Sequence, residues 1–286
     1  MATVNSVLRG VVSAVLTPLR ALPELAGLAV IALVAAIGML MVYKLASNQD
    51  GIAAVKSKIH ACLFEIRLFN DDIRAMLRAQ WELLGHNMRY MRFALVPMAI
   101  MIVPFFLLIA QLQFRYGYHA LAPGQPAIVQ AILGEGWEGK VPTQDADGTP
   151  KPVVRLVAPA GVEVQTPALW IPSERQIAWR VAGDKPGDYR LSVKLGDQTF
   201  DKSFRVGQGE ERLALISPLR VGRGFFDQLV YPAEAPLPAG PVQSISVAYP
   251  SADVWFFGWN THWLVVFFIL SIAFAFTLRN RLGVKI

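Results

Sequence analysis

The chain has 286 residues, of which 54% are hydrophobic and 17% are charged, and its formal net charge is +6 with a pI near 9.5. Most of the excess positive charge lies beside long apolar runs, as membrane insertion requires, so we expect no nucleic-acid substrate. Cys62 is the only cysteine, which excludes an intrachain disulfide. Any domain outside the membrane must therefore be stabilised by its own apolar core.

Residues 1–25 predict an amphipathic helix that lies in the membrane interface. Apolar side chains recur there at helical spacing on one side, whereas Ser6, Arg9 and Ser13 fall toward the other side. A cleaved signal peptide is the alternative, because Arg9 precedes an apolar region. The apolar stretch begins late and is long for a signal peptide, which favours the interfacial helix.

Three apolar runs predict three transmembrane helices, at residues 26–43, 93–113 and 254–278. The first run has no charged or polar side chain from Ala26 to Val42, and the second is interrupted only by Gln111 up to residue 112. Each is close to the roughly 20 residues that cross about 30 Å of hydrocarbon. The third run is interrupted near its start by polar residues and is continuous from Trp263 onward.

Basic residues near the ends of these runs predict the orientation in the membrane. Residues 44–92 carry eight basic and five acidic residues, and the tail 279–286 carries three basic residues and no acid. Residues 114–260 carry 14 basic and 15 acidic residues. Because positive charge is retained inside, we predict a multi-pass protein of the cytoplasmic (inner) membrane with its N-terminus outside and its C-terminus in the cytoplasm. Aromatic residues near the outer ends predict an interfacial belt: Phe114, Tyr116, Tyr118, Trp255, Trp259 and Trp263.

Residues 44–92 predict a cytoplasmic hairpin of two antiparallel helices of roughly 20 residues each. Two apolar stripes recur at helical spacing, and Asn70 between them is the expected N-cap of the second helix. A solvated spacer is one interpretation of this hairpin, and a docking arm for a cytoplasmic partner is the other. Its candidate partner contacts are basic: Lys56, Lys58, Arg67, Arg74 and Arg78.

Residues 114–253 predict an extracytoplasmic all-β domain. Short runs of alternating apolar and polar residues are separated by Gly, Pro and Asp turn signals, which is typical of half-buried antiparallel strands. About eight strands in this length favour an immunoglobulin-like sandwich. The predicted strands are 127–133, 153–157, 162–165, 175–182, 188–195, 199–206, 212–216 and 242–249.

The sequence gives little sign of catalytic chemistry. The four histidines are dispersed and lack Cys partners, and phosphate-binding and nucleophile-elbow motifs are missing. We therefore expect no enzyme activity, no metal and no other cofactor.

Short motifs lie at both ends of the hairpin. Tyr43, Lys44, Ser47, Asn48 and Gln49 follow the first apolar run, and Pro97, Met98 and Pro104 lie in the second. The first motif is like a tyrosine-lysine-threonine-aspartate-glutamine stretch, and the second is a proline-methionine element with a later isoleucine-proline-like pair. Together they resemble the YidC/Oxa/Alb superfamily of membrane protein insertases, above all its archaeal YidC-like branch and the third subunit of the ER membrane protein complex. The resemblance covers residues 26–112 and, by topology, 263–286.

The resemblance implies a protein that helps apolar segments enter the bilayer through a polar groove open to the cytoplasm. Such a groove lowers the cost of moving polar flanks through hydrocarbon. The expected partners are the lipid bilayer and nascent membrane proteins or the ribosome. The chain departs from the family in having no basic residue inside the first run. Candidate groove or apolar-substrate contacts are Met88, Met98, Met101, Gln111, Gln113 and Arg115.

A second function hypothesis comes from the size of the outer domain. In it, the membrane helices are anchors, and the β-sandwich is a structural or binding domain that meets another envelope protein. The motifs flanking the hairpin favour the first hypothesis, and the length of the outer domain favours the second.

Overall fold

The structure is a computed structural model that describes residues 10, 14, 17–69, 72–135, 154–207 and 214–284. The chain divides into two compact units. The helical unit contains Leu25–Phe106 and Leu264–Ile286, and the β unit contains Met1–Glu24 and Leu107–Trp263. Most of the predicted interfacial helix 1–25, and the end of the basic tail at 285–286, lie outside the described residues.

Five α-helices lie entirely within the described residues: α1 (Glu24–Ala46), α2 (Gln49–Leu68), α3 (Ile73–Tyr116), α4 (Phe225–Val230) and α5 (Trp263–Leu278). Short 3-10 helices lie at Pro18–Ala21 and Pro172–Glu174. By length and composition, α1 and α3 are apolar enough to cross a membrane. Helix α5 is apolar but has only 16 residues, or about 24 Å of helix.

Each of the two hairpin helices starts at a side-chain N-cap. The Asn48 carboxamide oxygen accepts a hydrogen bond of 2.9 Å from the backbone N–H of Gly51, which satisfies a donor in the first turn of α2. The Asp72 carboxylate accepts bonds from the N–H groups of Arg74 and Ala75, at 2.9 and 3.2 Å. Asp72 is therefore the N-cap of α3, two residues later than the predicted cap at Asn70, which lies outside the described residues.

The second hairpin helix and the second apolar run form one helix rather than two. Helix α3 has 44 residues and continues through Pro97 and Pro104. Residues near the start of α2 lie beside residues far along α3, so the two helices are antiparallel: the Lys56 ammonium lies 5.6 Å from the centroid of the Tyr90 ring. Farther along α2, Cys62 is buried, and the Glu82 charge helps to raise the pKa of its thiol. The predicted antiparallel pairing is present, but its second helix has no break at residue 92.

Two antiparallel sheets make up most of the β unit. Their strands are β1 (Pro126–Leu133), β2 (Val154–Val157), β3 (Val162–Val164), β4 (Leu169–Ile171), β5 (Gln176–Gly183), β6 (Gly187–Leu195), β7 (Gln198–Val206), β8 (Leu219–Val221) and β9 (Val242–Val247). The larger sheet has the order β3-β5-β1-β9-β8, with β4 also paired to β5, and the smaller sheet has the order β2-β6-β7.

One apolar core is shared by the two sheets. Val129 and Trp179 from the larger sheet belong to the same buried cluster as Val193 and Phe204 from the smaller sheet. Alternate residues of β6 and β7 point into this core, as expected for strands that are covered on one face. The predicted all-β antiparallel region is confirmed.

Two predicted elements differ from the structure. Residues 214–216 of the predicted strand 212–216 have no strand pairing, and 212–213 lie outside the described residues. The start of the third apolar run is a β-hairpin, β10 (Asp253–Phe256) with β11 (Trp259–His262), so the helix begins only at Trp263. Phe257 and Gly258 have φ values of 47° and 92°, which is the backbone of a tight hairpin turn and cannot continue a helix.

Candidate functional site

An apolar groove lies among the three long apolar segments of the helical unit. It has a volume of about 310 Å³ and is lined by side chains from α1, α3 and α5. Small residues on α1 and α5 leave the space, and flexible thioether chains on α1 and α3 border it. The lining residues are Ala35, Ala36, Met39, Met98, Met101, Ile102, Phe105, Phe268, Ser271, Ile272 and Ala275.

Aromatic packing closes one part of the groove. The centroid of the Phe105 ring lies 5.5 Å from the centroid of the Phe268 ring, in an edge-to-face arrangement, and 6.3 Å from the centroid of the Phe267 ring. Ser271 is the one polar side chain of the lining, and its hydroxyl donates to the Phe268 carbonyl at 3.0 Å. The groove therefore offers dispersion contacts rather than hydrogen bonds, which suits an apolar ligand.

The predicted groove residues separate into two groups. Met98 and Met101 line the groove, whereas Met88 lies on an exposed part of α3. Gln111, Gln113 and Arg115 belong to the β unit and do not line the groove. The lining is thus apolar, and the polar residues that the sequence predicted for it lie in the β unit.

Gln113 has a structural role in the β unit. Its side-chain oxygen accepts a hydrogen bond of 3.1 Å from the indole N–H of Trp263, which is fully buried. The Tyr116 ring lies 6.1 Å from the Trp263 ring. Phe114, Tyr116 and Trp263 are therefore core residues rather than members of an interfacial aromatic belt.

The basic residues predicted as partner contacts lie on both hairpin helices. Lys58, Arg67, Arg74 and Arg78 are exposed, and Lys56 is half-buried against Tyr90. The Arg78 guanidinium forms a helical ion pair of 3.1 Å with Glu82. The exposed cations leave the hairpin able to meet an anionic surface.

The residues of the two motifs that flank the hairpin have local structural roles in the helical unit. Asn48 caps α2, and the chain turns between α1 and α2 at Ser47. The Lys44 ammonium donates to the Leu282 carbonyl at 2.8 Å, next to Gly283, whose φ of 66° ends the turn after α5. Tyr43 and Gln49 are half-buried, and Pro97 and Pro104 both lie inside α3.

A buried polar network in the β unit was missed by the sequence prediction. The Lys202 ammonium is fully buried and lies 2.5 Å from Glu234 Oε2 and 2.7 Å from the Ser217 carbonyl oxygen. The Ser217 hydroxyl donates to Glu234 Oε2 at 2.7 Å, and the Ser203 N–H donates to Oε1 at 2.8 Å. Burial raises the pKa of the Glu234 carboxyl, but Lys202 and these donors together outweigh it and hold the pKa below its usual value.

The network covers the outer edge of the smaller sheet, along β7. Strand β7 is the last strand of that sheet, so the backbone N–H and C=O groups of every second residue point away from β6 and have no strand to bond to. Glu234 accepts from Ser203 N–H, the Tyr249 hydroxyl accepts from Arg205 N–H at 2.7 Å, and Arg220 donates to the Asp201 carbonyl. Side chains from other segments therefore take the place of a neighbouring strand.

A cavity of about 510 Å³ lies beside this edge. Two ion pairs border it: Arg205 with Asp188 at 3.1 Å, and Arg190 with Asp201 at 3.9 Å. The lining also includes Glu234. Charged side chains therefore border this cavity, in contrast to the groove of the helical unit.

One signal in the sequence would have identified Lys202. In β7 the residues facing the core alternate with outward-facing ones, and Lys202 occupies the core phase between Phe200 and Phe204. A charged residue in that phase requires a buried partner. The partner could not be inferred, because Glu234 lies 32 residues away in a segment without regular structure.

The β10–β11 hairpin exposes three large aromatic side chains. Trp255, Phe257 and Trp259 are 65%, 88% and 80% exposed. The hairpin passes directly into α5, with no linker between His262 and Trp263. Of the aromatic residues predicted to form an outer belt, Trp255 and Trp259 have the exposure that such a belt needs.

Within the described ranges, no cluster of three or more His, Cys, Asp or Glu side chains has an arrangement that would hold a metal ion. Comparison with known protein families, curated proteins and solved structures found no significant match to this chain.

Proposed function

We propose that this protein is an insertase-like integral membrane protein that assists the insertion or folding of other membrane proteins. The observation that carries the proposal is the apolar groove, which Met39, Met98 and Met101 border on two different helices. The flanking motifs resembling the YidC/Oxa/Alb superfamily and the long basic hairpin support it. The client is an apolar helical segment of a nascent protein.

The chemistry of the groove suits transient binding of varied clients. Methionine side chains are flexible and polarizable, so they adapt to apolar surfaces of different shape. Alanines at 35, 36 and 275 allow a client backbone to approach closely. Inside a bilayer no hydrophobic driving force holds two helices together, and packing contacts alone are weak enough for the client to be released.

The proposed topology follows the charge distribution. Helices α1, α3 and α5 span the membrane, the α2–α3 hairpin meets a ribosome or nascent chain in the cytoplasm, and the β unit is an immunoglobulin-like sandwich outside. The exposed aromatic side chains of the β10–β11 hairpin contact the outer interface, because the hairpin adjoins the first residue of α5.

Filling the groove tests the proposal. Ala275 lines it, whereas Ala273 is an exposed alanine on the same helix that does not. We expect Ala275→Phe to lower the yield of inserted short-tailed membrane substrates in proteoliposomes, and Ala273→Phe to leave the yield unchanged. Equal yields for the two variants would overturn the role of the groove.

A membrane-anchored partner-binding protein is the second candidate function, and the charged cavity beside β7 favours it. In this case the β unit binds an envelope protein, and the helices serve as anchors. Deleting residues 120–250 would then reproduce the phenotype of complete loss, whereas Ala275→Phe would have no phenotype. The opposite pair of results supports the insertase.

A further inference from the structure

Helix α3 carries an exposed apolar stripe that starts in the first turns of the helix and ends at the groove. Its members follow one another at alternating intervals of four and three residues, and each is between 48% and 72% exposed. We call this stripe the seam: Leu77, Trp81, Leu84, Met88, Met91 and Leu95. It ends where the groove begins, at Met98.

The spacing of the seam is that of a coiled coil. Alternating steps of four and three average 3.5 residues, the repeat with which two helices pack side chains into one another along their length. Leu77, Leu84 and Met91 take the d positions, and Trp81, Met88 and Leu95 take the a positions. The seam is about 27 Å long.

Helix α2 packs on the other side of α3. Ala79 is buried, and Leu83, His86 and Tyr90 are half-buried, with the Lys56 ammonium over the Tyr90 ring. These residues occupy the c and f positions of the same repeat, opposite to a and d. The hairpin therefore leaves the seam available to another helix.

Lipid cannot cover most of the seam. The apolar run starts at Phe93, and about 20 residues fill the hydrocarbon, so Leu77 stands roughly 24 Å of continuous helix beyond it. Five of the six seam residues precede Phe93. In water, exposed apolar side chains in a continuous row indicate a protein partner.

We propose that the seam joins α3 of one copy to α3 of a second copy in a parallel two-stranded coiled coil. Every copy carries the same seam, and two copies inserted with one topology can pair their equivalent helices only in parallel. Complete burial of the six side chains on each copy, at roughly 100 Å² apiece, sets an upper bound near 1,200 Å² for the two copies together, which is the low end for specific interfaces.

The charges beside the seam agree with parallel pairing. The e positions include Arg78 and Arg92, and the g positions Gln80 and Asn87 are uncharged. In a parallel pair, Asn87 of one copy faces Arg92 of the other, and no two arginines meet. An antiparallel pair centred on Gly85 would place Arg78 against Arg92 and create repulsion.

Disulfide scanning of the full-length protein in membranes tests this dimer. In a Cys62→Ser background, single cysteines replace Trp81, Leu84, Met88 or Met91, and Glu82→Cys and Arg89→Cys are exposed controls one residue away from the seam. Equivalent a or d positions of a parallel pair are close enough for a disulfide. We expect oxidation to give a covalent dimer at all four seam positions, at several times the yield of the controls.

Three results of the scan would overturn the proposal. They are equal yields at seam and control positions, a dimer at only one seam position, and a product whose mass indicates a different protein. An independent measurement is the mass of the protein in lipid nanodiscs. Leu84→Arg with Met88→Arg should convert dimer to monomer, whereas Leu63→Arg with Phe64→Arg, equally exposed on α2, should not. A monomeric unsubstituted protein, or dissociation by both pairs, would also contradict the dimer.

Discussion

The ammonium of Lys202 lies 2.5 Å from the Glu234 carboxylate, inside the β unit and 32 residues away along the chain. The pair connects the edge strand β7 to a segment that has no regular structure. The Lys202 side chain is fully buried and the Glu234 side chain is only 16% exposed, so the loss of one charge would leave the other largely buried and uncompensated.

We predict that Lys202→Met destabilises the β unit by about 3–5 kcal/mol, because the largely buried Glu234 carboxylate then loses the cation that pairs with it. The free energy of unfolding can be measured on the full-length protein in detergent by chemical denaturation. Trp179 in the buried core provides a fluorescence signal.

The matched control removes both charges. In Lys202→Met with Glu234→Gln, the amide oxygen still accepts from the Ser203 N–H, and no charge is buried. We expect this double variant to regain most of the stability lost in the single variant. Equal losses in both would show that the charge pair is not the source of the effect.

The same carboxylate predicts a loss of stability in acid. The pKa of Glu234 is lower in the folded protein than its usual value, so the folded state prefers the ionised form. This contribution is complete above the ordinary pKa of about 4.3 and is lost as the pH falls through the lower folded-state pKa. Unfolding at a series of pH values between 7 and 3 should show it. Glu234→Gln should flatten this dependence, and an unchanged slope would contradict the assignment.

The helices and strands that follow from a local pattern of apolar and polar residues were predicted from the sequence. Alternation identified most of the strands, and the apolar run from Ala26 to Val42 lies within α1. The β10–β11 hairpin was missed because Trp255 to Trp259 is apolar enough to resemble a membrane run, and only the turn at Phe257 and Gly258 interrupts it.

The site was predictable only in part, because contacts between distant segments leave no local pattern in the sequence. Met98 and Met101 stood out in the sequence, but the groove also needs Ala35 and Ala275 from other helices, and such small residues carry no signal of their own. Gln111 was assigned to the groove from its polarity, although its burial in the β unit depends on tertiary packing. Both the lining of the groove and the burial of Gln111 depend on contacts between segments that are distant in the sequence.

We predict that Asn48→Ala weakens the start of α2, because the Gly51 N–H loses its acceptor. Loss of such a cap costs about 0.5–2 kcal/mol. Hydrogen exchange of the amides in the first turn should become faster, while Asn48→Asp, which keeps the acceptor, should preserve protection. Ser57→Ala, in the middle of the same helix, is a further control that should leave the first turn unchanged.

We predict that Cys62 reacts slowly with maleimides. The side chain is buried, and burial, followed by the charges of Glu82 and Glu65, raises the pKa of its thiol, so little thiolate is present at neutral pH. The labelling rate should increase about tenfold per pH unit below that pKa. Leu63→Cys in a Cys62→Ser background is half-exposed and should react faster at neutral pH. Similar rates for both cysteines would contradict the packing of α2.

The proposed insertase function requires that an apolar client segment enters the groove of the helical unit. Photocrosslinking from residue 101 with a ribosome-bound nascent membrane protein tests it most directly, with residue 103 as the control. Met101 lines the groove, whereas Val103 is exposed on the same helix and does not. We expect client adducts at position 101 and few at position 103. Equal adducts at both positions, or none at 101, would contradict it.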